Sequence, residues 1–75
     1  MGAHDAKVAG LLTAKELAAR LKVGRSTLYR HVSTGRVPEP LKLGGATRWR
    51  AEEIADWIAA GCPPRNRWEW EGGEQ

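Results

Sequence analysis

Apolar residues recur at the spacing of an amphipathic helix in three short stretches of the chain. The members of these stretches are Leu17, Ala18 and Leu21, then Leu28 and Val32, and finally Ile54, Trp57 and Ile58. Spacings of one, three and four residues place side chains on one face of a helix. Thr13 and Glu16 are spaced as a capping box, which marks the start of the first helix. Because helices of about two or three turns are not stable alone, the pattern predicts three helices packed on one another.

A turn of only three residues separates the first two helices. It consists of Lys22-Val23-Gly24, in which Val23 is expected to be an apolar plug and Gly24 the N-cap of the second helix. The second helix is predicted from Arg25 to Thr34. It ends at Gly35, a residue that suits the left-handed backbone after a helix. The spacing therefore predicts a helix-turn-helix.

The third helix is predicted from Ala51 to Ala60. Gly61 ends it, and Pro63-Pro64 prevents it from resuming. Residues 62–75 are interpreted as a C-terminal tail, in which Trp68 is expected to fold back on the domain. Residues 72–75 are expected to be disordered, and residues 1–10 to form a flexible arm.

A β-hairpin is predicted between the second and third helices. Pro38 and Pro40 exclude helix there, and two triplets that alternate apolar and basic residues flank Gly44-Gly45-Ala46. The inward face is expected to hold Leu41, Leu43 and Trp49. On that interpretation Lys42 and Arg48 point outward and form a wing.

Charge is distributed unevenly along the chain, whose net charge is +3. Residues 1–50 hold ten Lys and Arg and three acidic residues, whereas residues 51–75 hold two and six. The basic part contains the helix pair and the hairpin, which is a favourable arrangement for binding phosphate. The acidic remainder is expected to face away from it. The alternative is an ordinary solvated charged surface.

The second helix carries the candidate base-reading residues. Opposite Leu28 and Val32, its other face holds polar side chains, and the second helix of a helix-turn-helix enters the DNA major groove. The predicted recognition residues are Arg25, Ser26, Thr27, Tyr29 and Arg30. Arginine can bond guanine bidentately, and serine can contact a base or a phosphate. Alternatively, the arginines are merely exposed helix formers and Tyr29 is half-buried packing.

The predicted wing supplies a second set of candidate DNA contacts, which are Lys42, Gly45, Thr47 and Arg48. Glycine permits positive φ and a close approach of the backbone to phosphate. The glycine pair matches neither a nucleotide P-loop nor a dinucleotide fingerprint, so it is interpreted first as a turn.

Other function classes find little support in the sequence. Cys62 is the only cysteine, and with His4 and His31 it does not make up a zinc site, so no metal or cofactor is expected. His31 is expected at the edge of the buried face. No nucleophile and base are paired, so neither catalysis nor a small-molecule substrate is predicted. With no apolar run of membrane-span or signal-peptide length, a cytoplasmic, nucleoid-associated protein is expected.

From Leu12 to Ile58 the chain resembles the AlpA-like and excisionase branch of the MerR-type winged helix-turn-helix proteins. The matching pieces are LLTAKELAARLKVGRSTLYRHVSTGRVPEP, LKLGGATRW and EEIADWI. Family members commonly have a serine where Gly24 stands and an apolar residue where His31 stands. The resemblance implies a mainly α fold over residues 11–61, with three helices and a two-stranded wing.

The resemblance also implies a function. Such proteins are short regulators from prophages or integrated elements that bind double-stranded DNA, and they activate integrase expression or direct recombination toward excision. Integrase is then a partner, and self-association on DNA, through residues 61–75, is expected of so small a module. Two alternatives remain open at this stage. One is a phage DNA-packaging or partition adaptor, and the other is a protein-interaction adaptor that uses Trp68 and Trp70 without binding DNA.

Overall fold

Three helices and a three-stranded antiparallel sheet make up the fold. The computed structural model describes residues 10–71, so residues 1–9 of the predicted arm at 1–10, and the predicted disorder at 72–75, lie outside the described residues. The elements in chain order are β1 (Leu11–Leu12), α1 (Ala14–Leu21), α2 (Arg25–Ser33), β2 (Leu41–Leu43), β3 (Ala46–Arg50), α3 (Ala51–Ala59) and a 3₁₀ turn (Arg65–Arg67). The prediction of a mainly helical domain with a small wing is confirmed. None of the helices among residues 10–71 could cross a membrane.

The helix ends follow the local signals in the sequence. The Thr13 hydroxyl accepts from the Glu16 amide at 3.1 Å, and the Glu16 carboxylate accepts from the Thr13 amide at 2.9 Å, which completes the predicted capping box. At the end of α2, Gly35 has φ +75° and the Arg36 amide donates to the His31 carbonyl oxygen at 2.8 Å. This is the left-handed helix end that the glycine predicted.

One core joins the three helices with β1 and β3. Its buried apolar residues include Leu17, Leu28 and Ile54, which are fully buried, and Trp49 and Trp57. The Trp49 indole N–H donates to the Pro38 carbonyl oxygen at 3.0 Å, so this large side chain is buried with its polar atom satisfied. The prediction that Ile58 belongs to the buried face of the third helix is wrong. Its side chain is 38% exposed, because the buried face of α3 is centred on Ile54 and Trp57.

The sheet differs from the predicted two-stranded wing. β1 adds a third strand, and Leu12 pairs with Trp49 in the strand order β1-β3-β2. β1 has only two residues, too few to show strand alternation, so no pattern in the sequence predicted it. The extra strand ties the beginning of α1 to the beginning of α3.

The predicted faces of the hairpin are also wrong. The register pairs Leu41 with Arg48, and directly opposed residues share a face of the sheet. Leu41, Leu43 and Arg48 therefore lie on one face, and Trp49 lies on the other. The two-residue turn at Gly44-Gly45 determines which residues share a face, because it places Leu43 directly opposite Ala46. Leu43 is 60% exposed as a result.

Candidate nucleic-acid interface

Helix α2 presents its polar face to solvent because the opposite face is held in the core. Leu28 is fully buried, while Val32 and His31 are half-buried at the edge of the packed face. The half-burial of His31 agrees with the prediction. One turn of helix therefore anchors α2, and the remainder is free to meet a ligand.

The predicted recognition residues are exposed on α2, with one exception. Arg25, Ser26 and Arg30 are exposed, and 51% of the Tyr29 surface is accessible. Thr27 is half-buried. The Tyr29 hydroxyl and the two guanidinium groups are donors suited to acceptor atoms on base edges or phosphates.

The N-terminus of α2 carries no side-chain cap. Gly24 is the N-cap, with φ −75° and ψ 162°, and no acidic residue lies in the first turn. The amides of a first helical turn have no partner within the helix, and the helix dipole is positive there. Among residues 10–71, no hydrogen bond from the amides of Arg25, Ser26 or Thr27 is present. This end of the helix therefore suits an anion such as a phosphate.

The hairpin brings the predicted wing residues together around Thr47. The Lys42 ammonium donates to the Thr47 hydroxyl at 3.0 Å, and Arg48 Nη1 donates to the Thr47 carbonyl oxygen at 2.8 Å. Gly44 and Gly45 both have positive φ, 58° and 94°, as a tight two-residue hairpin turn requires. Lys42 and Arg48 lie on opposite faces of the hairpin, so they extend in different directions from it.

Two of the three acidic side chains of α3 accept hydrogen bonds from tryptophans that follow the helix. The Trp68 indole N–H donates to a Glu53 carboxylate oxygen at 3.0 Å, and that of Trp70 donates to Asp56 at 2.8 Å. Trp68 also packs against the core, which confirms that it folds back. Arg50 lies over the Trp70 ring, 5.8 Å from its centroid. These contacts attach the segment after α3 to the acidic surface of that helix.

Arg65 is a structural residue that the sequence reading missed. Its guanidinium donates to the carbonyl oxygens of Val32 and Val37, at 3.1 and 3.0 Å. A single arginine after two prolines carries no local signal for such a contact. No group of His, Cys, Asp and Glu that could hold a metal occurs in the part of the chain that the structure describes.

Comparison with known proteins identifies the architecture. A family model described as a helix-turn-helix domain matches residues 11–62, which is more than half of the chain. The chain belongs to this helix-turn-helix family. The matched residues include α1, the turn, α2, the wing and α3, so the exposed polar helix is the second helix of the motif.

A relative supports the same family. The chain is 44% identical over 48 residues to a protein named excisionase from Streptomyces ambofaciens, an alignment that covers 64% of this chain and 76% of the relative. No solved structure matches the chain significantly. The prediction of a DNA-binding helix-turn-helix protein of the excisionase and AlpA-like kind is thereby confirmed.

Proposed function

We propose that this helix-turn-helix protein binds double-stranded DNA with sequence preference and directs recombination toward excision. The observation that carries the proposal is the exposed polar face of α2, which begins at an uncapped, acid-free helix end. Similarity to a protein named excisionase favours excision over transcription activation, which uses the same kind of contacts. The assignment to the MerR-type branch rests on the order of two helices, hairpin and helix.

The residues of α2 divide into two roles in this proposal. Arg25 and Arg30 read base edges in the major groove, and Ser26 and Tyr29 contact either bases or phosphates. The free amides of the first turn donate to a phosphate oxygen and so determine how deeply the helix enters the groove. Thr27 contributes less, because it is half-buried.

The wing holds the sugar-phosphate backbone. Lys42 is exposed and orients the Thr47 hydroxyl, while the Gly45 backbone at the turn allows close approach to phosphate. Arg48 is half-buried, and its guanidinium is hydrogen-bonded to the Thr47 carbonyl oxygen. It therefore adds positive charge to the wing but does not itself reach a phosphate. These contacts strengthen binding to every duplex alike.

Integrase and further copies of the chain are proposed partners on DNA, and the cytoplasm is the proposed compartment. A single module of this kind covers about 600 to 1,000 Å² on DNA, which is small for a specific complex. Adjacent copies on repeated sites would raise the affinity.

The alternative of a protein-interaction adaptor that does not bind DNA is disfavoured, since the indole N–H groups of Trp68 and Trp70 are already hydrogen-bonded to α3.

Selection from random duplexes, followed by binding measurements over a range of salt concentrations, tests the proposal. We expect an enriched motif and a logarithmic affinity that falls steeply with the logarithm of salt concentration, because each neutralised phosphate contributes about 0.9 to the slope. Lys42→Ala should reduce that slope by about 1 on all duplexes alike. The absence of an enriched motif would exclude sequence-specific DNA binding, and binding that does not depend on salt would exclude the proposed phosphate contacts.

A recombination assay separates excision from transcription activation. Purified chain is added to an integrase reaction on attachment-site substrates in both directions. Excision should rise and integration should fall, and the effect should require the motif found by selection. An unchanged direction of recombination, together with specific binding, would exclude excision and favour transcription regulation.

A further inference from the structure

Arg65 connects the segment after α3 to the end of the proposed recognition helix. Its amide donates to the Gly35 carbonyl oxygen at 2.9 Å, and its guanidinium bonds the carbonyls of Val32 and Val37. These three acceptors lie in the last turn of α2, at its end and just beyond it. One residue thus makes one hydrogen bond to the last turn of α2 and two to the segment that follows it.

Arginine is suited to this position by its shape as well as its charge. The last carbonyls of a helix have no partner within it, and a cation there interacts favourably with the helix dipole. The planar guanidinium offers several N–H groups in a fixed arrangement, so it can bond two carbonyls that belong to different segments. A lysine at position 65 would retain the charge but could not reproduce this paired geometry.

The segment that carries Arg65 is itself attached to α3 on both sides. Before it, the Trp57 indole N–H donates to the Pro63 carbonyl oxygen at 2.8 Å. After it, Trp68 bonds Glu53. Because Trp57 is a core residue, these bonds connect the end of α2, through Arg65, to the core of the domain.

We propose that Arg65 is a positioning residue for sequence recognition, which it controls by setting the tilt of α2. This inference rests on the proposed function of α2. The helix has nine residues and only Leu28 is buried, so Leu28 is a natural pivot. At a rise of about 1.5 Å per residue, a tilt of about 10° moves each end of the helix by about 1 Å. Hydrogen bonds to base edges tolerate less than that, whereas flexible side chains at phosphates adapt.

The test compares Arg65→Lys and Arg65→Gln with Arg67→Lys. Arg67 belongs to the same 3₁₀ turn, is exposed, and makes no side-chain hydrogen bond among residues 10–71, so it is a matched control. Affinity is measured for the selected duplex and for a scrambled duplex, over a salt series, at a temperature where circular dichroism shows each variant fully folded. The readout is the ratio of the two affinities, which a loss of folded protein does not change.

The ratio should fall about tenfold in both Arg65 variants, as expected when a tilted helix loses one base contact. The scrambled duplex should bind Arg65→Lys as it binds the original protein, with the same salt slope, and Arg67→Lys should retain the full ratio. An unchanged ratio in Arg65→Lys would overturn the inference. So would a salt slope about 1 smaller for Arg65→Gln on both duplexes, because that result identifies a phosphate contact.

The duplex preference of the original protein distinguishes a failure of this inference from a failure of the proposed function. If it shows no preference for any duplex, the proposed function fails, and the positioning role fails with it. If it discriminates and the Arg65 variants discriminate equally, only the positioning role is wrong.

Discussion

Helices α1 and α2 have nearly the same length and follow each other directly, yet they are stabilised in different ways. α1 has three buried residues, Ala14, Leu17 and Ala18, and both halves of a capping box. α2 has one buried residue, Leu28, and a glycine N-cap with no side-chain bond. α1 thus combines local capping with extensive burial, whereas α2 depends mainly on contacts with the rest of the domain.

The difference follows from what each helix leaves exposed. A helix that enters a groove must keep most of its surface and its first amides free, so it cannot use them for its own stability. α2 is instead stabilised by the burial of Leu28 and by contacts at its C-terminal end, where Arg65 and the turn at Gly35 hold it. Substitutions at these positions test the comparison.

Loss of the pivot should have the largest effect. Leu28→Ala should lower the free energy of unfolding by about 2 to 5 kcal/mol, because it removes a fully buried side chain and leaves a cavity. That is a large part of the stability of a small domain. Thermal unfolding followed by circular dichroism should show a much lower or absent transition. Leu43→Ala is the control, since Leu43 is 60% exposed, and it should change stability by less than about 0.5 kcal/mol. If Leu28→Ala and Leu43→Ala lowered the free energy of unfolding equally, burial of Leu28 would not be what holds α2 in the domain.

Removal of a base contact should affect binding without affecting folding. Arg30→Ala should cost about 1 to 3 kcal/mol on the selected duplex and relax one position of its motif. Arg20→Ala, at an exposed position in the last turn of α1, is the matched control and should leave the motif unchanged. Repeated selection with each variant measures the motif. An Arg30→Ala protein with an unaltered motif would remove this residue from base reading.

Loss of the cap of α1 should have a smaller effect. Thr13→Ala should destabilise the domain by about 1 kcal/mol, because the Glu16 amide loses its acceptor at the helix start. Thr13→Ser retains the hydroxyl and should remain close to the original stability. Urea unfolding measures both. If Ala and Ser have equal effects, the capping bond does not stabilise α1.

Addition of a cap to α2 should have the smallest effect, and it has the opposite sign. Gly24 has an ordinary backbone conformation, and no atom lies within 4 Å of a side-chain carbon added there. Gly24→Ser should therefore raise stability by a few tenths of a kcal/mol, whereas Gly24→Ala should lower it. The same urea experiment measures both. A destabilising serine would show that the turn before α2 does not accept a side chain.

Local signals in the sequence determined the helices and the turns. The capping box at Thr13, the glycine at the end of α2 and the glycine pair in the hairpin each involve residues a few positions apart. Their geometry is therefore decided before distant parts of the chain meet. The polar face of α2 followed in the same way, from the positions of Leu28 and Val32 on a helix of regular period.

Contacts between distant residues decided the rest. The face on which Leu41 and Leu43 lie depends on strand register, because a shift of one position exchanges the two faces of a strand. β1 exists as a strand only because Leu12 meets Trp49, and Ile58 is exposed because α3 packs through Ile54 and Trp57. Arg65 reaches α2 only after the chain has turned back at Gly61. Such pairings arise from the packing of the whole domain, and no local pattern in the sequence encodes them.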